Sequence, residues 1–146
     1  MRVFACILLT ASILSFHACA NEKEQPEQFS EYEWYGHEVT VSAYNSVSWQ
    51  TQGDPNLAAW GDTLKPGMKS IAVSRDLLKM GLKHNTMVKI DTFSDTFYVK
   101  DKMNKRWRNR IDLYMGLDVK KAREWGRKKM FICYAIAADS AINNIK

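Results

Sequence analysis

The sequence predicts a mainly β domain: a compact six-stranded β-barrel carrying one or two short helices. Short runs rich in β-branched and aromatic residues recur along the chain, with Gly, Pro, Asn or Asp between them. Helical patterning is confined to brief stretches. The part of the chain available to fold, about 110 residues, suffices for one core and is too short for two. Neither an internal repeat nor a low-complexity tract interrupts it.

The elements follow in order. Val39 to Tyr44 alternates apolar and polar residues, the period-2 pattern of a half-buried strand. Ser70 to Val73, Met87 to Asp91, Phe97 to Val99, Ile111 to Tyr114 and Met130 to Ile136 complete the set. Pro66-Gly67 marks a turn, since Pro presets the first central position and Gly accepts a positive φ at the second. A helix is expected from Val119 to Trp125, with Asp118 as its N-cap and Gly126 ending it. Leu77 to Met80, before Gly81, fits a short helical turn, and Ala137 to Lys146 a frayed terminal helix.

The N-terminal residues read as an export signal. Arg2 precedes an apolar run from Val3 to Phe16, broken only by Thr10, Ser12 and Ser15, and too short to span a bilayer comfortably. Two endings compete within residues 1–20. Phe16-His17-Ala18-Cys19 resembles a lipoprotein cleavage site that would leave Cys19 acylated, and Ala18-Cys19-Ala20 fits ordinary cleavage after small residues. Of the other two cysteines, Cys6 leaves with the signal, and Cys133 is expected to be buried and structural in an apolar strand.

Residues 21–36 read as a flexible acidic tether and 37–146 as the folded domain. The chain carries +5; with Arg2 removed and Asn21 to Glu33 at −4, the part from Trp34 onward carries +8. Such a domain suits a polyanionic partner. Export excludes nucleic acid and leaves peptidoglycan carboxylates and anionic envelope groups. The expected location is the bacterial cell envelope, either periplasmic or as an outer-membrane lipoprotein held to the membrane through the Cys19 lipid.

The stretch most able to carry chemistry is Asp101 to Met115. Asp101 and Asp112 each border a strand, with a basic loop between them. A carboxylate at a strand end beside an accessible loop is a common general acid or base. Exposed or turn aspartates account for the spacing equally well.

The order of Val39 to Tyr44, Ala59 to Gly67, Ile71 to Leu77, Val99 to Asn104, Arg110 to Tyr114 and Trp125 to Arg127 resembles the Asp-Asp-Asp (3D) domain family. That domain also forms the catalytic barrel of membrane-bound lytic transglycosylase A and is similar to the barrel of rare lipoprotein A. The resemblance runs from Val39 to Ala135 and implies a double-psi β-barrel. It places the family's central aspartate pair on Asp101 and Asp112, with Asp112 as the single catalytic acid. Asp112 would protonate the oxygen between N-acetylmuramic acid and N-acetylglucosamine, then take the proton of the muramoyl 6-hydroxyl as a 1,6-anhydro ring closes. No second carboxylate nucleophile is needed, unlike in ordinary glycosidases. Such an acid must start protonated, so an apolar wall or a like charge has to raise its pKa. Asp101 is the expected like charge, and Tyr114, Trp107 or Trp60 the wall. Two positions depart from the family. Ser74 stands where the earliest aspartate is expected, and Lys102 to Trp107 replaces a Gly-Gly loop.

Substrate contacts are expected from Asn104, Trp107, Tyr114, Trp60, Asp62 and Arg110. Trp49, Trp60 and Trp107 offer broad faces for sugar stacking, whereas Trp125 fits the core. A turn role suits Asp62 equally well. The basic residues Lys100, Lys102, Lys105, Arg106, Arg108 and Arg110 suit stem-peptide carboxylates or a plain solvated face. His37 and His84 lack metal-ligand spacing, and neither metal nor cofactor is expected. Peptidoglycan glycan strands are therefore the expected partner. Three functions remain open: a lytic transglycosylase-like enzyme, a non-catalytic peptidoglycan-binding lipoprotein, and a barrel that contacts another envelope protein.

Overall fold

The computed structural model describes residues 31–50 and 53–138. Six strands close into a mixed barrel, in the order β1 (Tyr32–Tyr44), β5 (Arg110–Tyr114), β2 (Ser70–Val73), β4 (Thr96–Lys102), β3 (Met87–Ile90) and β6 (Lys128–Ala137). Two short helices complete it, α1 (Arg75–Lys79) and α2 (Val119–Trp125). β1 runs parallel to β5 and β2 parallel to β4; the other four pairings are antiparallel. Closure removes the unpaired edges that an open sheet would expose.

Alternation builds the core. Val39, Val41, Ile71, Val73, Val99, Ile111, Leu113 and Ile132 point inward, each no more than 2 % exposed. Leu77 of α1 and Leu82 just beyond it plug the assembly. Each such side chain contributes roughly 1.5–3 kcal/mol by leaving water. Inward alternation forces Ser42, Asp112 and Ala72, the next residues along, onto the outer face.

On that face the described residues of the β1–β2 connection, 45–50 and 53–69, help build a second small core from Ala58, Leu64 and Tyr114, backed by Tyr44 and Met68. The Pro66-Gly67 turn is present, with Gly67 at φ 90° and Met68 N–H donating to Lys65 O at 3.1 Å. Gly116, at φ 58°, lets the β5–α2 turn approach Pro66; a Cβ there would lie 3.2 Å from Pro66 Cα.

α2 spans the expected residues, with Asp118 accepting from Lys121 N–H at 2.9 Å. α1 extends the expected turn at Leu77 one residue pair upstream, to Arg75. β2 matches expectation end to end, and β4 and β6 are longer than expected.

Two expectations are corrected. Residues 32–36 are not tether: they form the start of β1, paired antiparallel with β6 from Tyr32↔Ala137 to Gly36↔Cys133. Cys133 is not fully buried; between inward Ile132 and Tyr134 it is turned outward, half-buried and free. The export signal, Cys19, the tether up to residue 30 and the tail from residue 139 lie outside the described residues. Among the described residues no helix is long and apolar enough to cross a membrane.

Candidate functional site

Register brings the two aspartates onto one row. Ala72 of β2 pairs with Asp112 of β5 on one side and Asp101 of β4 on the other, and Asp112 pairs with Ser42 of β1. The row therefore reads Asp101, Ala72, Asp112, Ser42 across four strands. Two strand spacings separate the aspartate backbones, roughly 10 Å. Ala72 keeps the ground between them low.

Ser74 and Asp76 fix the start of β5. Arg110 N–H donates to Ser74 Oγ at 3.0 Å, and Ser74 N–H to Arg110 O at 2.9 Å. Asp76 accepts from Asn109 N–H at 2.8 Å. Asp112 is thus held two residues from a double anchor.

Asp112 is partly buried, and burial pushes its carboxyl above the ordinary aspartate range. Three groups pull the other way without prevailing: the Ser42 hydroxyl, which donates to Oδ1, and the Arg110 and Arg127 guanidiniums. The expected like-charge effect of Asp101 on Asp112 is absent from these causes; desolvation does the raising. The charges of both aspartates instead act on Tyr44. Burial first, then Asp101, Tyr114 and Asp112, raise the Tyr44 hydroxyl far above its usual range, so it stays a neutral donor. It is buried beside Ser70, and neither hydroxyl completes a hydrogen bond of normal geometry.

Asp101 has a different setting. Its Oδ1 accepts from Ala59 N–H and Lys102 N–H, both at 2.8 Å, so it ties the β1–β2 connection to β4. A register shift between Ile71 and Ala72 leaves Lys100 without a partner residue on β2. Lys100 Nζ donates to Asp62 Oδ1 at 2.8 Å and to Asn85 Oδ1 at 2.6 Å. His84 Nε2 lies 2.5 Å from Asp62 Oδ2, and its ring stacks on Trp60 at 5.1 Å. Lys100, then His84, hold the Asp62 carboxyl below its ordinary value against the opposing effect of burial.

The other expected contact residues divide. Trp107 is half-buried, with Arg110 against its ring at 4.0 Å. Trp60 is half-buried, with Lys102 Nζ 4.6 Å from its ring centre. Asn104 is exposed, and its side chain accepts from Arg106 N–H within the loop at 3.1 Å. Tyr114, expected as a wall or a substrate contact, lies in the second core: it is 7 % exposed, and its hydroxyl is bonded to Ser46 Oγ at 2.7 Å. Trp49 is 74 % exposed. Trp125 packs against the main core. Ser42, Tyr44 and Arg127 were not among the expected site residues; only strand register and the α2–β6 turn bring them to Asp112.

A solvent-open cavity of about 600 Å³ lies elsewhere, between the α1–β3 turn and the paired ends of β1 and β6. It includes His84 and Asn85 but neither Asp101 nor Asp112. Among the described residues no cluster of three or more His, Cys, Asp or Glu is arranged for a metal ion. Chemically, the Asp112 end offers a carboxyl whose pKa burial raises, a hydroxyl that can stabilise its anion, and a neutral phenol. Comparison with family models and with curated proteins found no match.

Proposed function

We propose that this protein is an exported, peptidoglycan-acting member of the Asp-Asp-Asp domain family that cleaves the MurNAc–GlcNAc bond as a lytic transglycosylase does. One observation carries the reading: a partly buried carboxyl, Asp112, raised in pKa by desolvation on an otherwise basic surface. A carboxyl that keeps its proton can give it to the glycosidic oxygen as the C1–O bond breaks. Donation from Ser42 then stabilises the carboxylate. The carboxylate takes the proton of the muramoyl 6-hydroxyl as that oxygen bonds to C1, and the acid is restored. General acid–base catalysis of this kind supplies roughly 10²–10⁴-fold. Glycan strands are the substrate, and acylation at Cys19 would hold the barrel at the envelope membrane within their reach.

Purified protein with murein sacculi should release 1,6-anhydro-muropeptides, and Asp112→Asn should stop release while leaving thermal unfolding unimpaired. Equal release by the variant would sink the assignment of Asp112.

A second reading, a non-catalytic peptidoglycan-binding lipoprotein, is favoured by one feature. Asp101, the other half of the aspartate pair, is committed to two backbone N–H groups. Sacculi that pull the protein down without any released product would select this reading.

A further inference from the structure

Beside Asp112 the chain gathers three guanidiniums on one indole. The carbon of Arg110 lies 4.0 Å from the Trp107 ring centre, that of Arg106 4.8 Å and that of Arg127 5.9 Å. Arg106 and Arg110 flank Trp107 in the β4–β5 loop and at the start of β5, and the fold brings Arg127 to the same ring from the α2–β6 turn. Among the described residues no ion pair joins any of them to a carboxylate. Arg110 Nε is buried without a hydrogen-bond partner.

Gathered within 5.9 Å of one ring centre, the like charges repel one another. The indole face offsets that repulsion only weakly. Asp112 lies beside Arg110 and Arg127, and a single carboxyl cannot by itself neutralise three guanidiniums. An arriving anion adds to that neutralisation, and guanidinium forks match the two oxygens of a carboxylate.

We propose that Arg106, Arg110 and Arg127, gathered on Trp107, form a subsite that binds a carboxylate of the substrate next to Asp112. This rests on the peptidoglycan reading above. Two parts of that polymer carry the group: the stem peptide, and the lactyl side chain of muramic acid once the stem is removed. Binding there places the sugar bearing the carboxylate against the acid and selects strands by their charge.

The test uses the full chain with Asp112→Asn, so that binding is read without turnover, and calorimetry with three glycan fragments: stem-bearing, stem-free, and stem-bearing with its carboxylates methylated. Arg106 and Arg127 are exposed, so Arg106→Gln and Arg127→Gln leave the core untouched. The pair together should weaken carboxylate-bearing fragments ~10-fold, as loss of charge-assisted bonds does, and leave the methylated fragment unchanged. Weakening of the stem-bearing fragment alone assigns the stem carboxylates; weakening of the stem-free fragment assigns the lactyl group. Equal weakening of all three, or of none, overturns the subsite. If no fragment binds even before the arginine changes, citrate is the deciding probe. Arginine-dependent citrate binding keeps the anion site and sinks the glycan reading, and absence of citrate binding sinks both.

Discussion

Asp112 and Asp101 occupy the same cross-strand row, one on either side of Ala72, yet the fold treats them in opposite ways. Asp101 accepts two backbone N–H groups at 2.8 Å and ties a long connection to the barrel, and nearby Asp62 is held by Lys100 and His84. Asp112 is withdrawn from water with one hydroxyl donor, and its pKa rises. Asp101, tied to two backbone N–H groups, serves architecture. A carboxyl deprived of water holds its proton to higher pH than an ordinary aspartate. The difference lies in hydration and hydrogen bonding, since residue type and row are shared.

Substitutions separate the two ends. The largest effect is expected at Asp112→Asn, which should reduce product release by about 10²-fold or more with no loss of stability. Comparable release after this change would erase the distinction. Asp101→Ala should do the reverse: it leaves Ala59 and Lys102 N–H without their acceptor and destabilises by about 1–3 kcal/mol. Hydrogen exchange should show residues 53–69 opening first. Retained protection there would show that Asp101 does not anchor the connection. Asp62→Asn weakens a partly exposed ion network, and chemical denaturation should register about 1 kcal/mol or less.

The pH dependence of stability gives the smallest signal and carries a definite sign. With its folded pKa raised, Asp112 binds more protons folded than unfolded, so its contribution falls as pH climbs from the ordinary aspartate value through the raised one. Asp112→Asn should abolish that fall, and a difference curve between the two proteins isolates it. Asp62, with its pKa lowered, contributes stability present above the ordinary aspartate value and lost as pH drops through the lowered one. Asp62→Asn should flatten that acid limb.

Much of the barrel is legible in the sequence because its strands are short apolar or alternating runs set off by turn residues. Ser70 to Val73 and Val119 to Trp125 match their expected ends, the first through a β-branched apolar run and the second through Asp118 and Gly126. The first part of β1 is not legible. Glu33 to Gly36 are exposed on both sides, so pairing with β6 leaves no alternation to read. Asp101 and Asp112 stand out as carboxylates flanking a basic loop, although Asp112 lies at the middle of β5 and not at the strand end expected, and their partners do not stand out. Ser42 and Tyr44 reach the site through the parallel register of β1 with β5, which no local pattern encodes. Arg127 reaches Trp107 across a helix and a turn. The like charge expected to raise the Asp112 pKa gives way to burial, which the folded packing sets and neighbours in sequence do not.

The most direct test is a titration of the Asp112 side-chain carboxyl, followed by its carbon chemical shift in selectively labelled protein. The midpoint should lie above the ordinary aspartate value of about 3.9. It should rise further in Ser42→Ala, which removes the hydroxyl that favours the anion. A midpoint at or below the ordinary value, or one that Ser42→Ala lowers, would contradict a carboxyl poised to give up a proton.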